Sequence, residues 1–204
     1  MLARLTFLLV EDDAGVRRLL ARDLSVHGEV EAVGTCAAAR LSLRARKFDA
    51  IVLDVRLPDG SGLDLLEVAK KRSPSAIVLV LTGSIDHGVI DRTLEMGARY
   101  LLKPCHRKHL DIIATECRSR RTAAVRRTEV TLARWAKERD LSRTEVELLT
   151  LGAEGVPRQE FSELRNVRPD TIRKQIQTLL QKTGDDTFEG AVNSLLRAAV
   201  AEPT

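Results

Sequence analysis

The first hundred residues alternate short runs that are apolar nearly throughout with longer amphipathic runs, and no other feature constrains the fold as strongly. The pattern predicts strands at Leu5–Val10, Val30–Val33, Ala50–Leu53, Ala76–Leu81 and Arg99–Leu102, with helical patterns at about 15–27, 37–46, 61–72 and 86–96. Strands that are apolar on both faces need a cover on both faces. A helix after each strand supplies it, so the expectation is an α/β, doubly wound (βα)5 parallel sheet. In such sheets ligands bind outside the carboxyl ends of the strands. That rule selects residues: Glu11 and Asp12 after the first strand, Asp54 after the third, Thr82 after the fourth and Lys103 after the fifth.

Composition narrows the class. A chain of 204 residues accommodates two domains of roughly 100 residues each. Apolar runs stop at about eight residues, far short of the roughly 20 needed to cross a bilayer. The N-terminus turns acidic by Glu11 and lacks a small-residue cleavage site, so no signal peptide is read and a soluble, cytoplasmic protein is expected. Cys36, Cys105 and Cys117 are odd in number and show no paired spacing, which fits a reducing compartment. Charge is uneven: basic against acidic residues number 15 to 14 over 1–106, 10 to 5 over 107–140 and 8 to 10 over 141–204, so the surplus lies in the middle.

The stretch "VEDDAG" puts three carboxylates side by side directly after an apolar strand, where their repulsion calls for a cation. Glu11, Asp12 and Asp54 offer oxygen ligands for a hard cation such as Mg2+, which typically uses one or two carboxylates with waters and phosphate oxygens. A phosphoryl group on Asp54 would spread its charge over that metal, the Lys103 ammonium and the Thr82 hydroxyl. Cys105, His106 and His109 also invite a metal reading. Without a fourth partner they read as ordinary surface residues.

The motifs "LLVEDD", "DAIVLDVRLPDGSG", "VLTG" and "GARYLLKP", in this order and spacing, make about residues 4–120 resemble the receiver domain of two-component response regulators. The resemblance implies Asp54 as phosphoacceptor, a histidine kinase as donor, and Mg2+ held by Glu11, Asp12, Asp54 and the backbone carbonyl of Arg56. The register to the basic pair Arg17-Arg18 implies that Asp13 opens the first helix instead of binding metal. It further implies that Lys103 pairs with the phosphoryl group, that the bond to Pro104 is cis, and that Thr82 and Tyr100 form a switch in which Tyr100 rotates inward as the Thr82 hydroxyl turns to the phosphoryl group. Gly83 departs from the family, where Ala is more usual, and loosens that loop.

Between Cys105 and Leu151 there is neither Gly nor Pro, so a fifth receiver helix is expected to run on into an arginine-rich helical linker over 121–139. A solvated helix separating two domains is the reading adopted over a dimeric coiled coil. The remainder, 140–204, reads as all-helical, with pieces at about 142–153, 157–164, 169–182 and 187–199 and a capping-box spacing from Ser142 to Glu145. The segment "LSRTEVELLTLGAEGVPRQEFSELRNVRPDTIRKQIQTLLQKTG" resembles the LuxR-type helix-turn-helix domain of the NarL/FixJ class. Ile172, Ile176, Leu179 and Leu180 recur at helical spacing as its core. Arg168, Thr171, Arg173, Lys174, Gln177, Gln181 and Lys182 are the candidate contacts to double-stranded DNA, with Arg165 a further cation for that face. Two features run against an ordinary DNA binder: Gln175 stands where the family usually has histidine, and 141–204 is net acidic.

These readings converge on a phosphorylation-dependent transcription regulator that dimerises on two DNA half-sites. The alternative is a phosphorelay or protein-interaction receiver whose tail binds protein. An enzymatic role on external phosphoesters is disfavoured, because Arg56 stands two positions after Asp54, where a phosphatase needs a second acid.

Overall fold

The computed structural model describes residues 4–201; residues 1–3 of the receiver domain expected over 1–120, and residues 202–204 of the domain expected over 140–204, lie outside the described residues. The chain divides into two compact units after Arg120.

In the first unit, strands β1 (Leu5–Val10), β2 (Gly28–Val33), β3 (Ala50–Asp54), β4 (Ile77–Thr82) and β5 (Arg99–Leu102) form one sheet in the order β2-β1-β3-β4-β5, every neighbouring pair parallel. Alternate residues of each strand feed opposite cores, as the two-residue period requires. Leu8, Val10, Ile51, Leu53, Val78 and Val80 pack on one face with α2 (Cys36–Ala45) and α3 (Gly62–Arg72). Phe7, Leu9, Val52, Leu79 and Leu81 pack on the other with α1 (Ala14–Ser25) and with Leu110, Ile113, Ala114 and Cys117 of α5 (Arg107–Glu138). Helix α4 (His87–Glu95) leads into the short edge strand β5.

Four strand limits shift by one or two residues: β3 runs on to Asp54, β4 occupies Ile77–Thr82 and β2 starts two residues early. Strand β2 begins at Gly28, before its apolar residues, because only glycine fits there: a Cβ would stand 2.1 Å from the carbonyl oxygen of Leu5. Thr82 belongs to β4 itself, opposite Leu102 of β5. After β3 the chain makes a small antiparallel hairpin from the two-residue strands Arg56–Leu57 and Gly60–Ser61.

The second unit contains the last turns of α5, then α6 (Arg143–Ala153), α7 (Phe161–Leu164), α8 (Pro169–Thr183) and α9 (Phe188–Ala201). Ser142 and Glu145 close a full capping box at the start of α6, Pro169 occupies the first turn of α8, and Gly184 ends it in the left-handed region at φ +76°. The helix expected over 157–164 is instead a 3-10 turn, Arg158–Glu160, followed by the single turn of α7. Pro157 at one end and left-handed Asn166 at the other leave room for little more, and Phe161 is anchored edge-on against Phe188 at 5.5 Å between ring centres.

The segment 121–139, expected as linker, is linker only in part. Residues 122–126 are exposed. Leu132 and Trp135, by contrast, are buried in one cluster with Leu148, Ile176 and Leu195. The Arg139 guanidinium lies 4.0 Å from the Trp135 ring centre and donates to the Thr183 carbonyl at 2.6 Å, fastening the end of α5 to the end of α8. Among the described residues, no helix is long and apolar enough to cross a membrane.

Candidate functional site

The carboxyl ends of β1, β3 and β5 bring four charged side chains together. Asp54 closes β3 and is 5% exposed. Its Oδ1 accepts from the Arg56 backbone N–H at 3.2 Å and its Oδ2 from Lys103 Nζ at 2.8 Å. The same Lys103 nitrogen donates to Glu11 Oε2, also at 2.8 Å. Glu11 is 1% exposed and its backbone N–H donates to the Val33 carbonyl at 3.1 Å, which extends the β1–β2 ladder by one residue and fixes where the carboxylate starts. Asp12 is exposed; one carboxylate oxygen from each of Glu11, Asp12 and Asp54 lies within 4.8 Å of the others. Burial pushes the Glu11 carboxyl above its ordinary value, an effect the Lys103 hydrogen bond opposes and the Asp54 charge reinforces. For Lys103, burial pulls downward, but hydrogen bonds and charges from Asp54 and Glu11 outweigh it and hold the ammonium charged.

Three carboxylates against one ammonium leave a formal charge of −2, and every donor is an oxygen. That donor set suits a hard divalent cation such as Mg2+. Arg56, whose carbonyl was the further expected ligand, lies on the short strand opposite Ser61. Asp13 stands apart from the cluster's work: its Oδ1 accepts from the N–H groups of Gly15 and Val16, each at 2.8 Å, and caps α1. Among the described residues, Cys105, His106 and His109 do not form a metal-binding group.

Thr82 is buried, and its hydroxyl donates to the Ser84 carbonyl at 2.8 Å while accepting the Ser84 N–H at 3.3 Å. The hydroxyl is thus committed to its own loop. Tyr100, opposite Val80 on β5, is 43% exposed. The Lys103–Pro104 bond is cis, and the Lys103 N–H donates to the Thr82 carbonyl at 2.8 Å, so the lysine is carried by the β4–β5 ladder. A Cβ on Gly83 would meet nothing within 4 Å, so that loop has no steric need of glycine.

In the second unit, Thr171, Arg173, Lys174, Gln177 and Gln181 are exposed along the side of α8 away from its buried Ile172, Ile176 and Leu179, with Arg168 exposed at the N-cap. Arg173 pairs with Asp170 at 2.9 Å on the surface. Two of the expected contacts are engaged within the unit. Lys182 Nζ donates to the Asp140 carbonyl at 2.6 Å and to Glu145 Oε2 at 2.9 Å, so it ties α8 to the start of α6. Arg165, expected as a further cation on that face, donates to Gln175 Oε1 at 2.7 Å and pairs with Glu147 at 3.1 Å, so it joins α7 to α8 and α6. The departure at Gln175 thereby has a structural use.

Residues 7–114 match the response regulator receiver domain family. The chain belongs to that family. The receiver is 38% identical over 109 residues to the luminescence regulatory protein LuxO of Vibrio campbellii, a match covering 51% of this chain but only 23% of LuxO. The DNA-binding transcriptional activator DevR/DosR of Mycobacterium tuberculosis is 29% identical over 188 residues, 86% of this chain and 87% of its own length. Among solved structures, full-length FixJ from B. japonicum covers 99% of this chain and 100% of its own at a TM-score of 0.52; at 22% identity the likeness is one of fold.

Two receiver residues that sequence reasoning left without a role emerge from the geometry. Arg17 Nη1 donates to the Glu11 carbonyl at 2.6 Å and the Asp12 carbonyl at 2.9 Å, clamping the acidic loop; in the sequence it served only to fix the register. Gly62 lies so close to the phosphoacceptor candidate that a Cβ there would stand 2.0 Å from the Asp54 carbonyl oxygen. The "DGSG" motif carried that signal, since a glycine opening a helix beside a strand end marks close backbone approach.

Proposed function

We propose that this protein is a phosphorylation-dependent, DNA-binding transcription regulator of a two-component system. Asp54 accepts a phosphoryl group from a histidine kinase, and residues 140–204 form a LuxR-type helix-turn-helix domain that binds double-stranded DNA, as a homodimer when phosphorylated, in the cytoplasm. The observation that carries the reading is Asp54, with Lys103 Nζ at 2.8 Å from one oxygen and Glu11 and Asp12 beside it. The extended likeness to DevR/DosR and the exposed polar side of α8 support the output half.

Chemically, a carboxylate oxygen of Asp54 attacks the phosphorus, the phosphorus–nitrogen bond of the donor histidine breaks, and the imidazole leaves with a proton from solvent. Lys103 stabilises the negative charge that builds on the phosphoryl oxygens, from a position already set by β5. Glu11, Asp12, Asp54 and the Arg56 carbonyl would hold Mg2+, which when bound would neutralise more of that charge. Thr82 then exchanges Ser84 for a phosphoryl oxygen, and Tyr100 turns inward as the hydroxyl vacates its place, which biases the surface of α4, β5 and α5. The chemistry on the chain's own Asp54 is limited to phosphorylation and hydrolysis of the resulting acyl phosphate.

A second reading, a receiver whose tail binds protein, draws on one observation: Arg165 and Lys182 are spent inside an acidic domain, leaving Arg168, Arg173 and Lys174 on the face. Selection from genomic fragments, with and without beryllofluoride and alongside Asp54→Ala, separates the two. Sequence-selective, mimic-dependent enrichment that vanishes in Asp54→Ala supports the regulator. No selective enrichment in any state supports the protein-binding tail.

A further inference from the structure

The carboxylate cluster sits at the ends of β1 and β3, and the loops that follow these strands both meet the junction of β2 and α2, where two residues, Gly34 and Thr35, lead into the first turn of α2. On the first loop, Arg17 Nη1 bonds the carbonyls of Glu11 and Asp12 while lying under Gly34, where a Cβ would stand 2.9 Å from that nitrogen. Glu11 itself is tied by its N–H to Val33. On the second loop, Asp59 sits in the turn of the hairpin that follows Asp54. Its Oδ1 accepts from the Cys36 N–H at 2.7 Å and its Oδ2 from the Ala37 N–H at 2.8 Å, both in the first turn of α2. Those two bonds hold the Asp59 carboxyl below its usual range. Cys36 Sγ also reaches the Ser61 carbonyl at 3.8 Å, and Gly60 leaves room for it, since a Cβ there would lie 3.3 Å from the sulfur.

The hairpin so held governs the phosphoacceptor. Arg56, at its start, donates its backbone N–H to Asp54 Oδ1; Gly62, at its end, donates its N–H to the Val55 carbonyl at 2.8 Å and lies against the Asp54 carbonyl. Asp59 contacts no reacting group. Among the described residues, its carboxylate accepts hydrogen bonds from the first turn of α2 and so ties the hairpin to that helix.

We propose that the β2–α2 junction, Gly34 and Thr35 with the first two residues of α2, is a brace for the phosphoryl-transfer site, and that Arg17 and Asp59 are positioning residues that set the acidic loop and the hairpin after Asp54 against each other through it. The inference rests on the reading of Asp54 as phosphoacceptor. Its cost structure is plain: an ångström of misplacement between the nucleophile and its electrostatic partners is worth about 100-fold in rate, whereas losing a loop tether costs the fold little.

The test is phosphoryl uptake by the full chain from acetyl phosphate, followed as rate constant against Mg2+ concentration, with thermal melting alongside. Asp59→Ala is expected to slow uptake about tenfold at saturating Mg2+, and Asp59→Asn, which keeps one of the two acceptor oxygens, about threefold. Arg17→Ala is expected to weaken the apparent Mg2+ affinity as well as the rate, because it releases the loop that bears Glu11 and Asp12, and Arg17→Lys to recover part of both. Asp49→Asn is the matched control. Asp49 makes a comparable tether, its Oδ2 accepting from the Thr6 N–H at 2.8 Å and hydroxyl at 3.0 Å, but at the opposite end of the sheet. It should leave uptake unchanged, with no larger effect on the melting temperature than the Asp59 variants. If Asp59→Ala and Asp59→Asn match wild type in rate, or if Asp49→Asn slows uptake as much as they do, the brace is overturned while the phosphoacceptor reading stands. If wild type takes up no phosphoryl group, or Asp54→Ala takes up as much, the underlying reading itself falls.

Discussion

Lys103 Nζ stands 2.8 Å from Asp54 Oδ2, reaching from the end of β5 to the end of β3, and is shared at the same distance with Glu11. Lys103→Ala therefore leaves two buried carboxylates facing each other with no cation. Because the lysine is 29% exposed, the loss should be about 2 kcal/mol, below the 3–5 kcal/mol of a fully buried broken pair. A divalent ion should restore more stability to this variant than to wild type. Melting in Mg2+ and in EDTA checks it, and an equal Mg2+ increment in both proteins would count against a cation site at Glu11, Asp12 and Asp54.

Gly62 and Gly83 make a paired prediction. Gly62→Ala drives a methyl into the Asp54 carbonyl, backbone against backbone, with no flexible side chain to yield. It should cost about 3 kcal/mol and abolish phosphoryl uptake. Gly83→Ala meets open space and should be neutral or stabilising by about 0.5 kcal/mol through the unfolded chain. Urea unfolding of the two variants decides both.

Thr82 holds Ser84 in the present conformation, and Tyr100, the single tyrosine, is exposed. Tyr100 should become less accessible to acrylamide on addition of beryllofluoride and Mg2+. Thr82→Ala should lose that response along with about 1 kcal/mol from its broken hydrogen bond, while Thr82→Ser should keep it. A Tyr100 response in Thr82→Ala as large as in wild type would separate the two residues.

How much of this was legible in the sequence depended on whether a residue's role is set by pattern or by partner. Strands β1, β3 and β4 were legible because nothing but a two-sided core accepts runs such as "IVLVL", and the sheet then delivers Glu11, Asp54 and Lys103 to one end by topology alone. Lys182 was not legible: a lysine on an amphipathic helix reads the same whether it faces solvent or reaches 2.9 Å to Glu145, thirty-seven positions earlier. The burial of Trp135 with Leu132 was not legible either, since the arginine-rich run before them reads as a solvated linker helix. Asp59 carries no signal of its role, because its two partners belong to a helix more than twenty positions earlier.

The Glu145–Lys182 pair makes stability depend on pH with a definite sign. Burial raises the Glu145 carboxyl, but hydrogen bonds from Lys182 and from the Ser142 N–H outweigh it, and the folded value is lowered. A lowered carboxylate contributes stability that is fully present above its unfolded value, about 4.3, and is lost as pH falls through the folded one. Glu145→Gln should therefore melt below wild type at neutral pH, by a margin worth about 1 kcal/mol, and the two curves should converge below about pH 4. A difference that persists undiminished at low pH would assign the loss to packing.

The last prediction separates the exposed cations of α8 from the structural one. Arg173 and Lys174 are exposed, and both are among the proposed DNA contacts, to phosphates or base edges. Arg173→Glu with Lys174→Glu should weaken binding to all duplex sequences alike, and neutralising Lys174 alone should reduce the dependence of log K on log salt by about one counterion. The melting temperature should not move, since Arg173 bonds only Asp170 on the surface. Lys182→Ala should do the reverse. It strips Glu145 of its ion pair and the Asp140 carbonyl of its donor, so it destabilises the second unit, while the salt slope of DNA binding stays that of wild type. Fluorescence anisotropy over a salt series, with melting curves on the same preparations, reads both. If the Arg173 and Lys174 reversals leave duplex binding and its salt slope untouched, α8 is not the DNA-facing helix, and the tail is a protein-binding module.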